Sequence, residues 1–168
     1  MKNLTKKLIL GLLLSLFFTL PSLGQPNETK GYNMIKHNSI LTPFTLHDQF
    51  GKEHNLSQFP KLLICSFGKE SGKLISNYFN NQNNNYLTNH EIKLIADVSS
   101  VPSLLRSAFI LPKMKRYNFK ILLSDDADFS KQFPREDDSL TILKIDNNVV
   151  TSISFVKDEA TLKTSIEG

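Results

Sequence analysis

The sequence predicts an α/β domain, a mixed β-sheet with helices on both faces and an added N-terminal hairpin. Three observations carry this. Apolar runs of strand length alternate with stretches of helical spacing between residues 62 and 133, the pattern of strand–helix–strand units. Two further apolar runs, 140–145 and 149–156, flank Asp146-Asn147-Asn148, a tight-turn sequence. A helical stretch over 158–167 closes the chain.

Taken in order, residues 25–39 are polar with Pro26 and Gly31 and read as a loosely held lead-in to a domain spanning 40–168. In 44–56, Phe44 and Leu46 alternate with polar neighbours and Gly51 marks a turn, so the segment reads as a hairpin. Setting Leu46 against Leu56 places Asp48, not His47, opposite His54. Residues 62–67 are continuously apolar apart from Ser66, as expected of a strand covered on both faces. Leu74, Ile75, Tyr78 and Phe79 then mark a helical face within 71–79, followed by an Asn-rich loop over 80–89. A strand follows at 92–98. Leu104, Leu105, Ala108, Phe109 and Ile110 form a helix that Pro112 ends or kinks. A strand at 119–125 and a short helix at 126–133 lead into the terminal hairpin.

The start of the chain has its own character. Lys2, Lys6 and Lys7 precede an apolar run from Leu8 to Leu20, and Ser22-Leu23-Gly24 follows the break at Pro21. That is the pattern of a secretory signal over 1–24, with thirteen apolar-run residues short of the roughly 20 a membrane-spanning helix needs. Export to the periplasm is expected, with no membrane contact after cleavage. Removing three of the 20 basic residues leaves 17 against 16 acidic, a net charge of +1. The alkaline isoelectric point is therefore no reason to expect nucleic acid. Cys65 stands alone, so no intramolecular disulfide is possible.

Several phrases resemble the redoxin branch of the thioredoxin-like superfamily. FTLHDQFGKEHNLSQFPK looks like its opening hairpin, NFKILLSDDADFSKQF like its later strand and helix, and LTILKIDNNVV like its late hairpin. SFGKESGK and the segment after LIADVSS look closest to YtfJ-like periplasmic proteins. The resemblance implies a thioredoxin-like fold and, in most of the superfamily, thiol chemistry. Its redox members carry Cys-x-x-Cys, or one reactive Cys, just after the first central strand. Here Phe67 to Ser76 contain no Cys, and Asp138, Ser139 and Leu140 stand where the family has its cis-proline. The resemblance thus implies the fold and withholds the activity.

Cys65 lies inside the apolar strand, where burial raises a thiol's pKa and leaves it inert. Gly68 to Leu74 follows a strand and opens a helix, but a P-loop needs four residues between its glycines and a hydroxyl after the lysine. Three residues and Leu74 occupy those places. Free N–H groups at this helix start, with Lys69, Lys73 and the Ser71 hydroxyl, are the candidate site for a small anion. His37, His47, His54 and His90 lack metal-ligand spacing, so no metal site is expected. No dinucleotide-binding or hydrolase signature occurs, and no cofactor is expected. Arg106, Lys113, Lys115 and Arg116 form one basic cluster, and Glu53-His54-Asn55-Leu56-Ser57 fits an extended glycosylation sequon. The expected function is a non-catalytic exported domain that binds a partner protein or a small anionic ligand. The alternatives are a thiol oxidoreductase or peroxidase acting through Cys65, and a periplasmic copper carrier.

Overall fold

A computed structural model describes residues 32–168. The expected signal over 1–24 and the start of the lead-in lie outside the described residues. Seven strands form one mixed sheet in the order β2-β1-β5-β4-β3-β6-β7. The strands are β1 (Phe44–Asp48), β2 (Glu53–Leu56), β3 (Leu62–Ser66), β4 (Ile92–Asp97), β5 (Leu122–Ser124), β6 (Leu140–Asp146) and β7 (Val149–Val156). Strands β3, β4 and β5 run parallel, and the two hairpins attach antiparallel at either side. The helices are α1 (Lys69–Asn80), α2 (Tyr86–Asn89), α3 (Ser103–Leu105), α4 (Leu111–Met114), α5 (Ala127–Lys131) and α6 (Glu159–Glu167). A π-helical turn, Arg106–Ile110, joins α3 to α4.

Strand β3 is buried at every position because both faces are covered. Leu62 and Ile64 enter the cluster built with Leu74, Ile75, Tyr78 and Phe79 of α1 and Leu162 of α6. Leu63 and Cys65 point the other way, into a cluster with Phe129, Phe133, Ile35 and Leu41. Side chains of a strand alternate between faces, so the parity of Cys65 with Leu63 puts it on the side away from α1.

Asp146-Asn147-Asn148 makes the expected tight turn, with Asn147 and Asn148 at φ +49° and +64°, the conformation Asn tolerates best after Gly. The first hairpin forms as expected but in another register. Leu56 pairs with Phe44, and His54 pairs with Leu46. The Asp48 carboxylate closes the turn by accepting from Phe50 N–H (2.9 Å) and Lys52 N–H (3.0 Å), and Gly51 takes φ +83°. This tight closure brings Glu53 opposite His47. The shift is two residues, so the faces are unchanged.

Helix α1 begins two residues before the expected Ser71, β5 is shorter than expected, and part of the Asn-rich loop winds into α2. The described end of the lead-in is docked. Ile35 is buried and donates its N–H to Gln132 O (2.7 Å), and Asn38 donates its N–H to Val150 O (2.8 Å). Helical structure also runs past Pro112 to Met114. A proline inside a helix clashes with the carbonyl four residues back. The π turn just ahead of Pro112 widens the backbone there, Leu111 N–H donating to Arg106 O.

Candidate functional site

The parallel strands β3, β4 and β5 end together, and open α/β sheets bind ligands at such carboxyl ends. The loop after β3 runs directly into α1, whose N-cap is Gly68 in extended conformation. Ser71 is buried, and its hydroxyl is committed locally. Oγ accepts from Phe67 N–H and Gly68 N–H (3.2 Å each) and donates to Gly68 O (3.2 Å). It thereby satisfies the orphan N–H of the cap residue.

The two lysines of the candidate anion site differ. Lys73 is paired with Glu70 at 2.8 and 3.0 Å, and that hydrogen bond holds the Glu70 carboxyl below its ordinary range. Lys69 is exposed one turn earlier, at the first position of the helix. The structure thus brings Lys69, Ser71 and Lys73 to one helix start, with Ser71 turned inward, Lys73 held by a carboxylate and Lys69 open to solvent.

A second group stands beside this turn. Arg135 lies 4.1 Å from the Phe67 ring centroid and 3.2 Å from Asp97 Oδ2. The Asp97 side chain is buried at the end of β4 and also accepts from Ser99 N–H at 3.0 Å. The guanidinium is therefore fixed between an aromatic face and a carboxylate, two partners its planar charge suits. The sequence reading missed both residues. Arg135 is the lone cation in the run Arg135-Glu136-Asp137-Asp138, and that contrast was the available signal.

Cys65 is fully buried, on the sheet face opposite α1. Burial pushes its thiol far above the ordinary range, and the nearby charge of Arg135 offsets this only in part. His47 and His54 stand on opposite faces of the first hairpin. His54 Nε2 meets the buried Asp48 carboxylate at 2.9 Å, whereas His47 lies 3.9 Å from Glu53. Among the described residues no three His, Cys, Asp or Glu side chains gather as a metal site would require.

No protein-family model matches the chain, and no curated protein matches it. Solved structures do. A protein provisionally named a protein disulfide isomerase, from Bacteroides thetaiotaomicron, superposes with TM-score 0.54 at 17% identity, covering 79% of this chain and 87% of its own. Peroxidoxin BcpB from Mycobacterium tuberculosis gives 0.53 at 14% identity, covering 79% and 94%. A provisionally named thioredoxin from Neisseria meningitidis gives 0.53 at 12%, covering 79% and 89%. The mixed seven-stranded sheet with its helices is a thioredoxin-like fold.

Proposed function

We propose that this chain is an exported, periplasmic protein, akin to the YtfJ-like branch, whose thioredoxin-like domain binds a partner protein or a small anionic ligand without thiol chemistry of its own. One observation supports this above the others: Cys65 is buried on the face away from α1, so no thiol stands at the helix start. What that turn offers instead is a helix N-terminus with its partial positive charge. Lys69 meets the anion, Lys73 joins by exchanging Glu70 for it, and Ser71 holds the turn in shape without touching the ligand.

Titration with sulfate and acetate, followed by NMR, tests the site. Amide shifts are expected to cluster on residues 67–73, and Lys69→Ala/Lys73→Ala to weaken binding about fivefold, as exposed charges allow. Shifts scattered over every basic surface, or equal binding by the variant, would refute it.

The names of the structural neighbours favour a second reading, a thiol oxidoreductase or peroxidase working through Cys65. It requires the centre of the sheet to open so that the thiol reaches its substrate. Insulin reduction, or peroxide turnover with a thiol donor, lost in Cys65→Ser, would establish that reading over binding.

A further inference from the structure

Two helices of this chain carry the same apolar spacing and meet opposite fates. In α1, Leu74, Ile75, Tyr78 and Phe79 fall at i, i+1, i+4 and i+5, and all four are buried. In α3 and the π turn that follows it, Leu104, Leu105, Ala108 and Phe109 repeat that spacing, and all four are exposed. Leu104 is 75%, Phe109 67% and Leu105 48% accessible. No residue of α3, the π turn or α4 is buried. Phe50, 56% accessible, stands on the hairpin turn across a groove of about 720 Å³ from Leu104 and Leu111. A run of large apolar side chains in water needs a reason.

Charge supplies one. From Val98 to Ser124 there is no acidic residue, and five cations occur: Arg106, Lys113, Lys115, Arg116 and Lys120. Arg106 is paired with Asp125 at 3.6 Å. Lys113, Lys115 and Arg116 are exposed where the helix ends. Exposed Leu and Phe with Lys and Arg close by is the composition of a helix that lies in a membrane interface. A groove-binding peptide would want its apolar contacts on the groove walls. Leu105 and Phe109 stand outside those walls, as do Lys113 and Arg116. They suit a soft, extended, anionic surface.

We propose that residues 103–116 dock this domain peripherally onto anionic phospholipid, with Leu104, Leu105 and Phe109 entering the headgroup boundary and Lys113, Lys115 and Arg116 meeting lipid phosphates. This departs from the expectation of no membrane contact after cleavage. It leaves the anion site on α1 untouched.

The chain's first 24 residues carry their own apolar run and three lysines, so bulk binding to vesicles does not isolate the helix. A local reporter does. Ala108→Cys carries a polarity-sensitive dye, and the buried Cys65 does not compete for it. The full chain is mixed with phosphatidylcholine vesicles, with or without about one-third phosphatidylglycerol. The dye is expected to shift to the blue with the anionic vesicles only, and high salt should reverse the shift. Lys113→Gln/Lys115→Gln should need about twenty- to thirtyfold more anionic lipid for the same shift, because each cation near such a surface contributes about fivefold. A dye on Ala160→Cys, on α6, should not respond. An equal response to neutral vesicles, or an unchanged titration in the double variant, overturns the proposal. So does a silent dye at 108, which would leave the surface to an acidic protein partner. A shift that depends on protein concentration alone overturns it in favour of self-association.

Discussion

A thiol reagent added to the native protein should reach Cys65 only through unfolding. The residue is fully buried in β3, which is hydrogen-bonded to β4 on one side and β6 on the other. Exposing the thiol therefore means parting the middle of the sheet and both apolar clusters, which is global unfolding. Domains of this size are stable by about 5–15 kcal/mol, and every ~1.4 kcal/mol is a factor of ten in population. Even at about 6 kcal/mol the open fraction is about one in twenty thousand, so labelling should be slower than in the unfolded chain by that factor or more. The raised thiol pKa slows any attack short of unfolding further. The assay follows labelling by absorbance across a denaturant series. The logarithm of the rate should climb with the slope of equilibrium unfolding, because both report the same surface exposed. Fast labelling with little dependence on denaturant would refute this reasoning. It would show a local opening that serves Cys65, as the thiol reading requires.

Two further outcomes follow from the first hairpin. Gln49 is 1% accessible; its amide donates to Phe119 O at 2.7 Å and accepts from Ile121 N–H at 3.0 Å. Gln49→Ala orphans both buried groups and should lower stability by about 2–5 kcal/mol, with faster hydrogen exchange at Ile121. A loss below about 1 kcal/mol would show that water replaces the amide. Asp48 is pushed up by burial, but hydrogen bonds from His54, Lys52 N–H and Phe50 N–H outweigh that and hold its carboxyl below the ordinary range. The folded state then binds fewer protons than the unfolded chain, so this stabilisation is full above about pH 4 and is lost as acid titrates the carboxyl through its depressed value. Asp48→Asn should cost about 1–3 kcal/mol at neutral pH and flatten the acid limb of stability against pH, measured by denaturant midpoints. An unchanged acid limb would assign it to other carboxylates.

What could be read in the sequence was whatever local chemistry decides. Strand–helix alternation, the Asn147-Asn148 turn and the continuous apolar run of β3 each follow from neighbouring residues, and all three appear in the fold. The hairpin register depended on a side chain, since Asp48 bonds the backbone of its own turn, and no alternation of apolar residues reveals that. Arg135 and Asp97 escaped notice because they meet across 38 positions of sequence, and each alone looks like a surface charge. The helical stretch from α3 to α4 shows a different limit. Its apolar stripe has the spacing of a core face, and periodicity alone does not say whether a face is turned inward or outward.

The same distinction between local pattern and sheet geometry governs Cys65. Its place inside an apolar strand suggested burial, but burial alone would leave a thiol one rotation away from the α1 turn. Parity is the stronger constraint. Leu62 and Ile64 pack beneath α1, Leu63 and Cys65 pack on the other side, and a strand hydrogen-bonded at both edges does not rotate one residue without breaking both ladders. Thiol chemistry at the helix start would therefore need a cysteine within residues 68–72, where this chain has Gly68, Lys69, Glu70, Ser71 and Gly72. The Ser71 hydroxyl sits at that turn with its donor and acceptor positions occupied by backbone. Its role there is to keep the helix start in shape.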